Sequence, residues 1–303
     1  MRGALILLAA LAVAQAAAAQ TPSDTMVAEV RTFSAATDND ARFDALTALL
    51  KKHDLTFTVE TFTLDTPPAA SPNAAPDPRT RGRNVVVTLG EGAETVVVGA
   101  HYDAKWITAT NLSQGAVDNG ASSVMLIHAA EALKGQRLGS KVTFVWFDFE
   151  ESGLLGSAKY AEAHAGDRIK AMLNYDINGY GNTVLFGPPQ GGADPRLPRT
   201  MLETCAAERV DCLRFDGMPP GDDRSFGARK IPTISVAILP ATEAHQLWLM
   251  LHAKSAGLAK DFAPPIFTTI HTPADVPDKL DGAAMATAGR LAQALIRRVS
   301  ELK

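Results

Sequence analysis

The amino-acid sequence predicts an α/β fold with a mostly parallel central sheet covered by helices on both faces. From Asn84 onward, strand-like runs alternate with helical segments of ten or more residues, which is typical of such a sheet. Residues 142–147 form a continuous apolar run, as expected for a central strand buried on both faces. We therefore expect a single domain over residues 20–303, because nothing in the chain marks an internal linker or repeat.

The elements are predicted in order from their periodicity. Apolar residues at helical spacing predict a helix over 39–54, alternation predicts a strand over 56–63, and a proline-rich stretch predicts an exposed loop over 66–83. Further strands are predicted at 85–89, 95–100, 142–147, 171–177, 183–186 and 232–239. Further helices are predicted at 121–133, 153–164, 198–209, 242–255 and 281–300.

The composition excludes several classes of protein. The 303 residues include 29 Lys and Arg against 33 Asp and Glu, a net charge of −4, so no basic surface for nucleic acid is expected. Apolar residues make up 46% and charged residues 20% of the chain, which excludes collagen, coiled coil and wholesale disorder.

The N-terminus resembles a secretory signal peptide. Met1-Arg2 supplies a positive start, residues 4–14 are apolar, and Ala16 to Ala19 are small, so cleavage is predicted near Ala19. A membrane anchor is the alternative, but the apolar stretch is short for a bilayer of roughly 30 Å. We therefore expect a secreted or periplasmic protein without a membrane segment in its mature form. In that compartment Cys205 and Cys212 form either a local disulfide or two separate buried thiols.

Acidic and imidazole side chains follow one strand after another. Because sites in open α/β sheets gather beyond the carboxyl ends of the strands, these side chains are expected to converge. The candidate residues, in chain order, are His101, Asp103, Asp118, Glu150, Glu151, Asp176 and His271.

These residue types fit a site for two zinc ions. Imidazole and carboxylate ligands suit Zn²⁺, and paired ions hold a bridging hydroxide that serves as nucleophile. Two Zn²⁺ are neutralised by one hydroxide and three carboxylates, which Asp118, Glu151 and Asp176 supply, while two neutral histidines complete the set. This leaves Glu150 as the general base. It also leaves Asp103 to hold the second ring nitrogen of His101, because residues i and i+2 of an extended segment face the same way.

The motifs that carry these residues resemble those of the M28 family of zinc aminopeptidases. The matching segments are His101-Tyr102-Asp103, Gly115-Ala116-Val117-Asp118-Asn119-Gly120-Ala121-Ser122, Glu150-Glu151-Ser152-Gly153-Leu154-Leu155-Gly156-Ser157 and His271-Thr272-Pro273-Ala274-Asp275. The resemblance implies a phosphorylase/hydrolase-like fold with a mixed sheet of about eight strands. It also implies a peptidase domain that acts on peptides with a free N-terminus.

The resemblance further implies which residue holds which ion. Asp118 would bridge the two ions. His101 and Asp176 would hold one of them, and Glu151 and His271 the other. Glu150 would be the general base. Asp103 would hold the ring of His101 without binding an ion itself. The chain departs from the family pattern at Asp223, where a histidine is usual, and at Ile270, where several members have an aromatic residue.

Three interpretations of function remain at this stage. The first is an exported aminopeptidase with two zinc ions per chain, acting as a monomer. The second is a glutaminyl-peptide cyclotransferase with a single zinc, because the run His101 to Trp106 also resembles those enzymes. The third is an inactive binding module on the same fold.

The residue that stabilises the oxyanion stays unassigned, with Arg224 and Tyr180 as candidates. Asp275 is expected to orient the loop near His271. The other five histidines, including His53 and His128, are interpreted as structural.

Overall fold

The structure is a computed structural model that describes residues 21–70, 74–188, 194–252 and 262–303. The strands are β1 Thr58–Thr63, β2 Arg81–Leu89, β3 Thr95–His101, β4 Trp106–Thr108, β5 Asn111–Leu112, β6 Lys141–Phe147, β7 Ile169–Tyr175, β8 Thr183–Gly187, β9 Cys212–Arg214 and β10 Thr233–Leu239. The helices are α1 Pro22–Phe33, α2 Asn39–Lys52, α3 Ala121–Leu133, α4 Leu155–Ala163, α5 Arg196–Glu208, α6 Asp223–Gly227, α7 Ala241–Leu251 and α8 Gly282–Glu301. The predicted signal peptide lies outside the described residues.

Eight of these strands form one mixed sheet in the order β1-β2-β6-β3-β7-β10-β8-β9. The central strands β6, β3, β7 and β10 run parallel to one another, and β9 runs parallel to β8. The pairs β1–β2, β2–β6 and β8–β10 are antiparallel. The predicted fold class and the expected number of strands are therefore confirmed.

Helices cover both faces of the sheet because alternate strand residues point to opposite sides. In β3, Val96 and Val98 belong to the larger apolar cluster, which also contains residues of α1, α3, α5 and α8. Val97, between them, belongs to a smaller cluster with Tyr160 of α4 and Phe226 of α6. The continuous apolar runs of the central strands are explained by this burial on both faces.

Most predicted elements lie within two residues of their observed bounds. The helix predicted at 242–255 is observed as Ala241–Leu251, and residues 253–255 lie outside the described part of the chain. Residues 81–83, predicted as the end of the loop 66–83, begin strand β2 and pair with β1. Their charged side chains lie on a hairpin at the edge of the sheet, where charge is common and obscures a strand pattern. The sequence analysis also missed α1, which begins with a capping box between Thr21 and Asp24.

The parallel strands place the candidate residues at one edge of the sheet. His101 ends β3 and pairs with Phe147 at the end of the neighbouring β6, three residues before Glu150. Asp176 follows β7, which pairs with β3 on its other side. The carboxyl ends of three adjacent parallel strands therefore deliver the imidazole and two of the carboxylate positions to one place.

The two cysteines are joined by a disulfide that links α5 to β9, so the alternative of separate thiols is wrong. Disulfides are typical of proteins outside the cytoplasm. Among the described residues, no helix combines the length and the apolarity that crossing a bilayer requires.

Candidate metal centre

Six of the seven candidate residues form two adjacent groups of possible metal ligands. One group contains His101, Glu150 and Asp176, and the other contains Asp118, Glu151 and His271. Within each group the possible ligand atoms lie within 4.8 Å of one another. Two imidazoles and four carboxylates therefore converge at the edge of the sheet, and this donor set is one that zinc takes in proteins.

Asp118 lies between the two groups and faces one histidine with each carboxylate oxygen. Its Oδ1 is 3.1 Å from Nε2 of His101, and its Oδ2 is 3.0 Å from Nε2 of His271. The same nitrogen of His271 lies 3.2 Å from Oε2 of Glu151, and that of His101 lies 3.6 Å from Oδ1 of Asp176. One carboxylate is thus shared between two sets of donors.

The loop before α3 holds Asp118 in place. Gly115 has a φ of 53°, and a Cβ there would lie 2.7 Å from the carbonyl oxygen of Asp118, so the turn requires glycine. The carboxylate of Asp275 accepts hydrogen bonds from the backbone N–H groups of Val117 and Asp118, at 2.6 and 3.1 Å. Asp275 is expected from the sequence to orient the loop near His271; in the structure its carboxylate holds the loop of Asp118.

Asp103 supports the site in a different way from the one predicted. The ring Nδ1 of His101 lies 3.1 Å from the backbone carbonyl oxygen of Asp103, whereas the Asp103 carboxylate is 3.5 Å away. That carboxylate is fully buried and accepts hydrogen bonds from the backbone N–H groups of Glu150 and Glu151, at 3.1 and 3.2 Å. Asp103 therefore fixes both the ring of His101 and the backbone that carries the two glutamates.

The carboxylates give the site a strong preference for positive charge. Burial alone would lower the pKa of His271, but hydrogen bonds to Asp118 and Glu151 raise it to about 11. Burial likewise opposes protonation of His101, yet the charge of Glu150 and the nearby carboxylates of Asp103 and Asp118 raise its pKa well above the usual value. The ammonium of Lys105 lies 3.2 Å from Oε2 of Glu151. Each observation reflects excess negative charge that bound cations would neutralise.

Other carboxyl groups around the site favour the neutral form. Burial raises the pKa of Glu150 well above its usual value, and the charge of Glu151 adds to this rise although His101 opposes it. Burial also raises the pKa of Asp223 to about 8, with further contributions from Asp222 and Asp176. Asp223, which stands where the family usually has histidine, thus lies beside Asp176 as a buried carboxyl group.

A cavity of about 490 Å³ opens onto both groups and has two unlike ends. The polar end is lined by Asp118, Glu150, Glu151, Asp176 and His271. The other, which we call the apolar end, is lined by Ile177, Met218, Ala237, Leu239, Leu247, Ile266, Phe267 and Ile270. Arg224 also lines the cavity, whereas the hydroxyl of Tyr180 donates a hydrogen bond to Glu243. Of the two oxyanion candidates, only Arg224 is among the cavity residues.

Sequence analysis missed Arg42, a fully buried arginine of α2 that holds the backbone next to Asp103 and before Asp118. Its guanidinium donates hydrogen bonds to the carbonyl oxygens of Tyr102, Gln114 and Gly115, at 2.6 to 3.2 Å. Burial lowers its pKa to about 10, although the charge of Asp103 opposes the shift. Its position four residues before Leu46 on the buried stripe of α2 is the signal that sequence analysis could have used.

Replacing Arg42 with methionine is expected to lower the free energy of unfolding of the metal-free protein by about 3 kcal/mol, because three carbonyl groups and a set of buried carboxylates lose their cation. Urea unfolding followed by circular dichroism measures this change. The matched control is Arg31→Met, since Arg31 is exposed and pairs with the exposed Asp278, and it should cost less than about 1 kcal/mol. Equal losses in the two variants would contradict the supporting role of Arg42.

A sequence model of peptidase family M28 matches residues 84–296, which is most of the chain. The chain belongs to peptidase family M28. The matched region contains every candidate residue of the metal centre, so the resemblance seen in the sequence motifs is confirmed.

The M28 chain is similar to fungal aminopeptidases over part of its length. It is 38% identical to a probable leucine aminopeptidase of Arthroderma otae over 106 residues, which are 31% of this chain and 29% of that protein. A leucine aminopeptidase 1 of Leptosphaeria maculans is 33% identical over 133 residues, covering 40% of this chain and 34% of the relative. The chain thus matches about a third of the length of these curated relatives.

Solved structures share the M28 fold across nearly the whole chain. The zinc aminopeptidase from Bacillus subtilis superposes with a TM-score of 0.68 at 13% identity, covering 90% of this chain and 94% of that one. An Acidobacteriales bacterium glutaminyl cyclase superposes with a TM-score of 0.67 at 20% identity, covering 97% and 99%. At these identities the likeness shows the fold alone, and the fold is common to peptidases and cyclases.

Proposed function

We propose that this M28 protein is an exported aminopeptidase that holds two zinc ions and hydrolyses the N-terminal peptide bond of peptides. The observation that carries the proposal is the position of Asp118, whose two carboxylate oxygens each face a histidine of a different ligand group. A carboxylate shared between two adjacent sets of donors suits a site for two metal ions.

The residues present fit a pair of zinc ions. His101 and Asp176 would hold one ion, Glu151 and His271 the other, and Asp118 both. The buried Oδ1 of Asp176 accepts no hydrogen bond from the described residues, as expected of an oxygen that serves as a metal ligand. When bound, the ions supply Lewis acidity toward the scissile carbonyl and a strong nucleophile at neutral pH.

Glu150 is assigned as the general base. Its carboxylate lies at the cavity wall beside His101 and Asp176. The positive charge of bound ions would favour its ionised form over the neutral one, so that it accepts a proton from the attacking water and passes it to the leaving amine. Asp103 keeps the backbone of Glu150 in position through a hydrogen bond. Base and ligands are thus held by the same buried network, which fixes their relative geometry.

The two ends of the cavity match the two parts of an N-terminal residue. A free ammonium group is attracted to the carboxylates of the polar end, and an apolar side chain fits the apolar end. The proposal therefore favours peptides whose first residue is large and apolar. The names of the fungal relatives as leucine aminopeptidases support this choice.

Export and a monomeric state complete the proposal. The disulfide between Cys205 and Cys212 is in keeping with an oxidising compartment, and the sequence of residues 1–19 provides the signal for export. All six possible ligands come from a single chain, so the site needs no second copy.

The glutaminyl cyclase alternative makes different predictions about metal and product. It requires a single zinc, and with an N-terminal glutaminyl peptide it releases ammonia without cleaving a peptide bond. The number of zinc ions lost when Asp118 is replaced, together with mass spectrometry of that peptide after incubation, separates the two activities. An inactive binding module would turn over neither substrate.

A panel of amino-acyl 4-nitroanilides tests the proposed substrate class. We expect kcat/KM for the leucyl compound to exceed that for the glutamyl compound by at least about tenfold, because burying the apolar side chain contributes roughly 1–3 kcal/mol. Acetylating the leucyl substrate should reduce turnover to the background, since the ammonium group is lost. Equal turnover of the acetylated and free compounds would overturn the assignment as an aminopeptidase.

A further inference from the structure

A third cluster of possible metal ligands lies outside the cavity, where three helices meet. Glu29 of α1, His53 at the end of α2 and His128 of α3 place possible ligand atoms within 4.8 Å of one another. His128 lies seven residues into α3, about 10 Å along the helix from its first residue. The cluster is therefore separate from the groups around Asp118, which precedes that helix.

The two imidazoles aim the same ring nitrogen at one carboxylate. Nε2 of His53 lies 2.9 Å from Oε1 of Glu29, and Nε2 of His128 lies 2.6 Å from Oε2 of Glu29. The side chain of Glu29 is only 6% exposed, and those of His53 and His128 are 8% and 17% exposed. Small side-chain rotations that separate each nitrogen–oxygen pair to roughly 3.4 Å would make room for a tetrahedral zinc ion about 2.0–2.2 Å from each ligand atom.

The second ring nitrogen of His53 also faces a carboxylate. Its Nδ1 lies 2.9 Å from Oε2 of Glu131, so the ring stands between two acceptors. A neutral imidazole has one N–H and can donate to only one of them. A cation at Nε2 resolves this conflict, because Nδ1–H then donates to Glu131 while the Nε2 lone pair binds the ion, as in carboxylate–histidine–zinc triads.

Charge balance and the exposure of the Lys52 side chain also favour a cation at this position. Glu29 and Glu131 together carry two negative charges, which one divalent ion neutralises. In the structure the ammonium of Lys52 lies 2.6 Å from Oε1 of Glu29. The Lys52 side chain is 59% exposed, so it can move into solvent when an ion takes its place. Among the described residues, we see no other cluster outside the cavity that combines two histidines with a carboxylate.

We propose that Glu29, His53 and His128 form a binding site for a transition-metal ion such as Zn²⁺, which fastens α1 and α2 to α3. Imidazole nitrogens with one carboxylate form a donor set that zinc accepts, with water as the remaining ligand. The ion would displace Lys52 and link α3 to the two consecutive helices α1 and α2, which lie far from it in sequence. Its role at this distance from the cavity is structural.

Zinc content and thermal stability of the full chain test the site in an Asp118→Asn background, which weakens the catalytic metal centre. After equilibration with Zn²⁺ and gel filtration, we expect one zinc fewer per chain when His128→Gln is added to Asp118→Asn. Zinc should raise the melting temperature of Asp118→Asn by several degrees, and this rise should be absent in the double variant. The difference between the two proteins does not depend on how many ions the catalytic centre retains.

Two further variants serve as controls. His164→Gln is the control for His128→Gln, because His164 also contacts carboxylates, those of Glu60 and Asp167, but no second histidine of the described residues joins it in a group of possible ligands. It should leave zinc content unchanged. Lys52→Gln should tighten zinc binding by about tenfold, because a charge-assisted hydrogen bond no longer competes for Glu29. Equal zinc content with and without His128, or unchanged affinity in Lys52→Gln, would overturn the proposal.

Discussion

Replacing Asp118 with asparagine is expected to release both catalytic zinc ions and to lower kcat/KM for a leucyl 4-nitroanilide by about a thousandfold or more. The amide keeps the size of the side chain but loses the negative charge that both groups share. Each ion would then retain one histidine and one carboxylate, which is too few for tight binding. The lost rate follows because metal ions contribute several kcal/mol to the transition state, and about 1.4 kcal/mol corresponds to tenfold.

Metal analysis and kinetics of the same preparations distinguish this loss from simple unfolding. The matched control is Asp278→Asn, which removes an aspartate whose side chain is 76% exposed and whose partner is the exposed Arg31; it should retain full activity and metal. Circular dichroism should show both variants folded. Loss of only one zinc on replacing Asp118 would indicate the single-metal site of a cyclase, and retention of all metal would remove the basis of the paired-ion proposal.

The convergence of the candidate residues at the carboxyl ends of the strands could be predicted, because a short run of residues is enough to identify a buried strand and where it ends. An apolar run such as that of β6 predicts a central strand, and the charged residues that follow it must leave the core at its carboxyl end. His101, Glu151 and Asp176 could therefore be placed at one end of the sheet, because each lies at or just after the end of a predicted strand. The parallel order β6-β3-β7 brings them together as expected.

The supporting residues could not be placed in this way because their partners are distant in sequence and lie on helices. Arg42 reaches backbone carbonyls about 60 to 73 positions further along the chain. The contact between Glu29 and His128 spans 99 positions. A helical periodicity identifies the buried face of α2 or α3, but the face it packs against depends on the whole fold. For this reason His53 and His128 were interpreted only as structural residues.

Asp103 shows that even within a single motif the sequence does not determine which atoms make contact. Its spacing from His101 correctly predicted proximity, because alternate residues of an extended segment share a face. The backbone after β3 instead turns so that the Asp103 carbonyl oxygen is nearest the ring nitrogen, which frees the carboxylate for the amides of Glu150 and Glu151. Sequence spacing gives the side on which a residue lies, whereas the atom that makes the contact depends on the turn.

Replacing Glu150 with glutamine is expected to lower kcat by about a hundredfold to ten-thousandfold while zinc content stays at its original value. Glutamine preserves the shape of the side chain but cannot accept the proton of the attacking water. Because the proposed ligands are His101, Asp118, Glu151, Asp176 and His271, metal binding should not depend on this carboxylate. KM should change little, since substrate binding rests on the cavity walls and on the other carboxylates.

The combination of lost turnover and retained metal separates a base from a ligand. Glu162→Gln is the matched control, because Glu162 lies on the exposed surface of α4 with its side chain 62% exposed, and it should match the unaltered protein in kcat and zinc content. If Glu150→Gln instead loses zinc, then Glu150 is a ligand of the ion beside His101 and Asp176, the group in which the structure places it. If turnover is retained, another group accepts the proton, and Glu150 has no catalytic role.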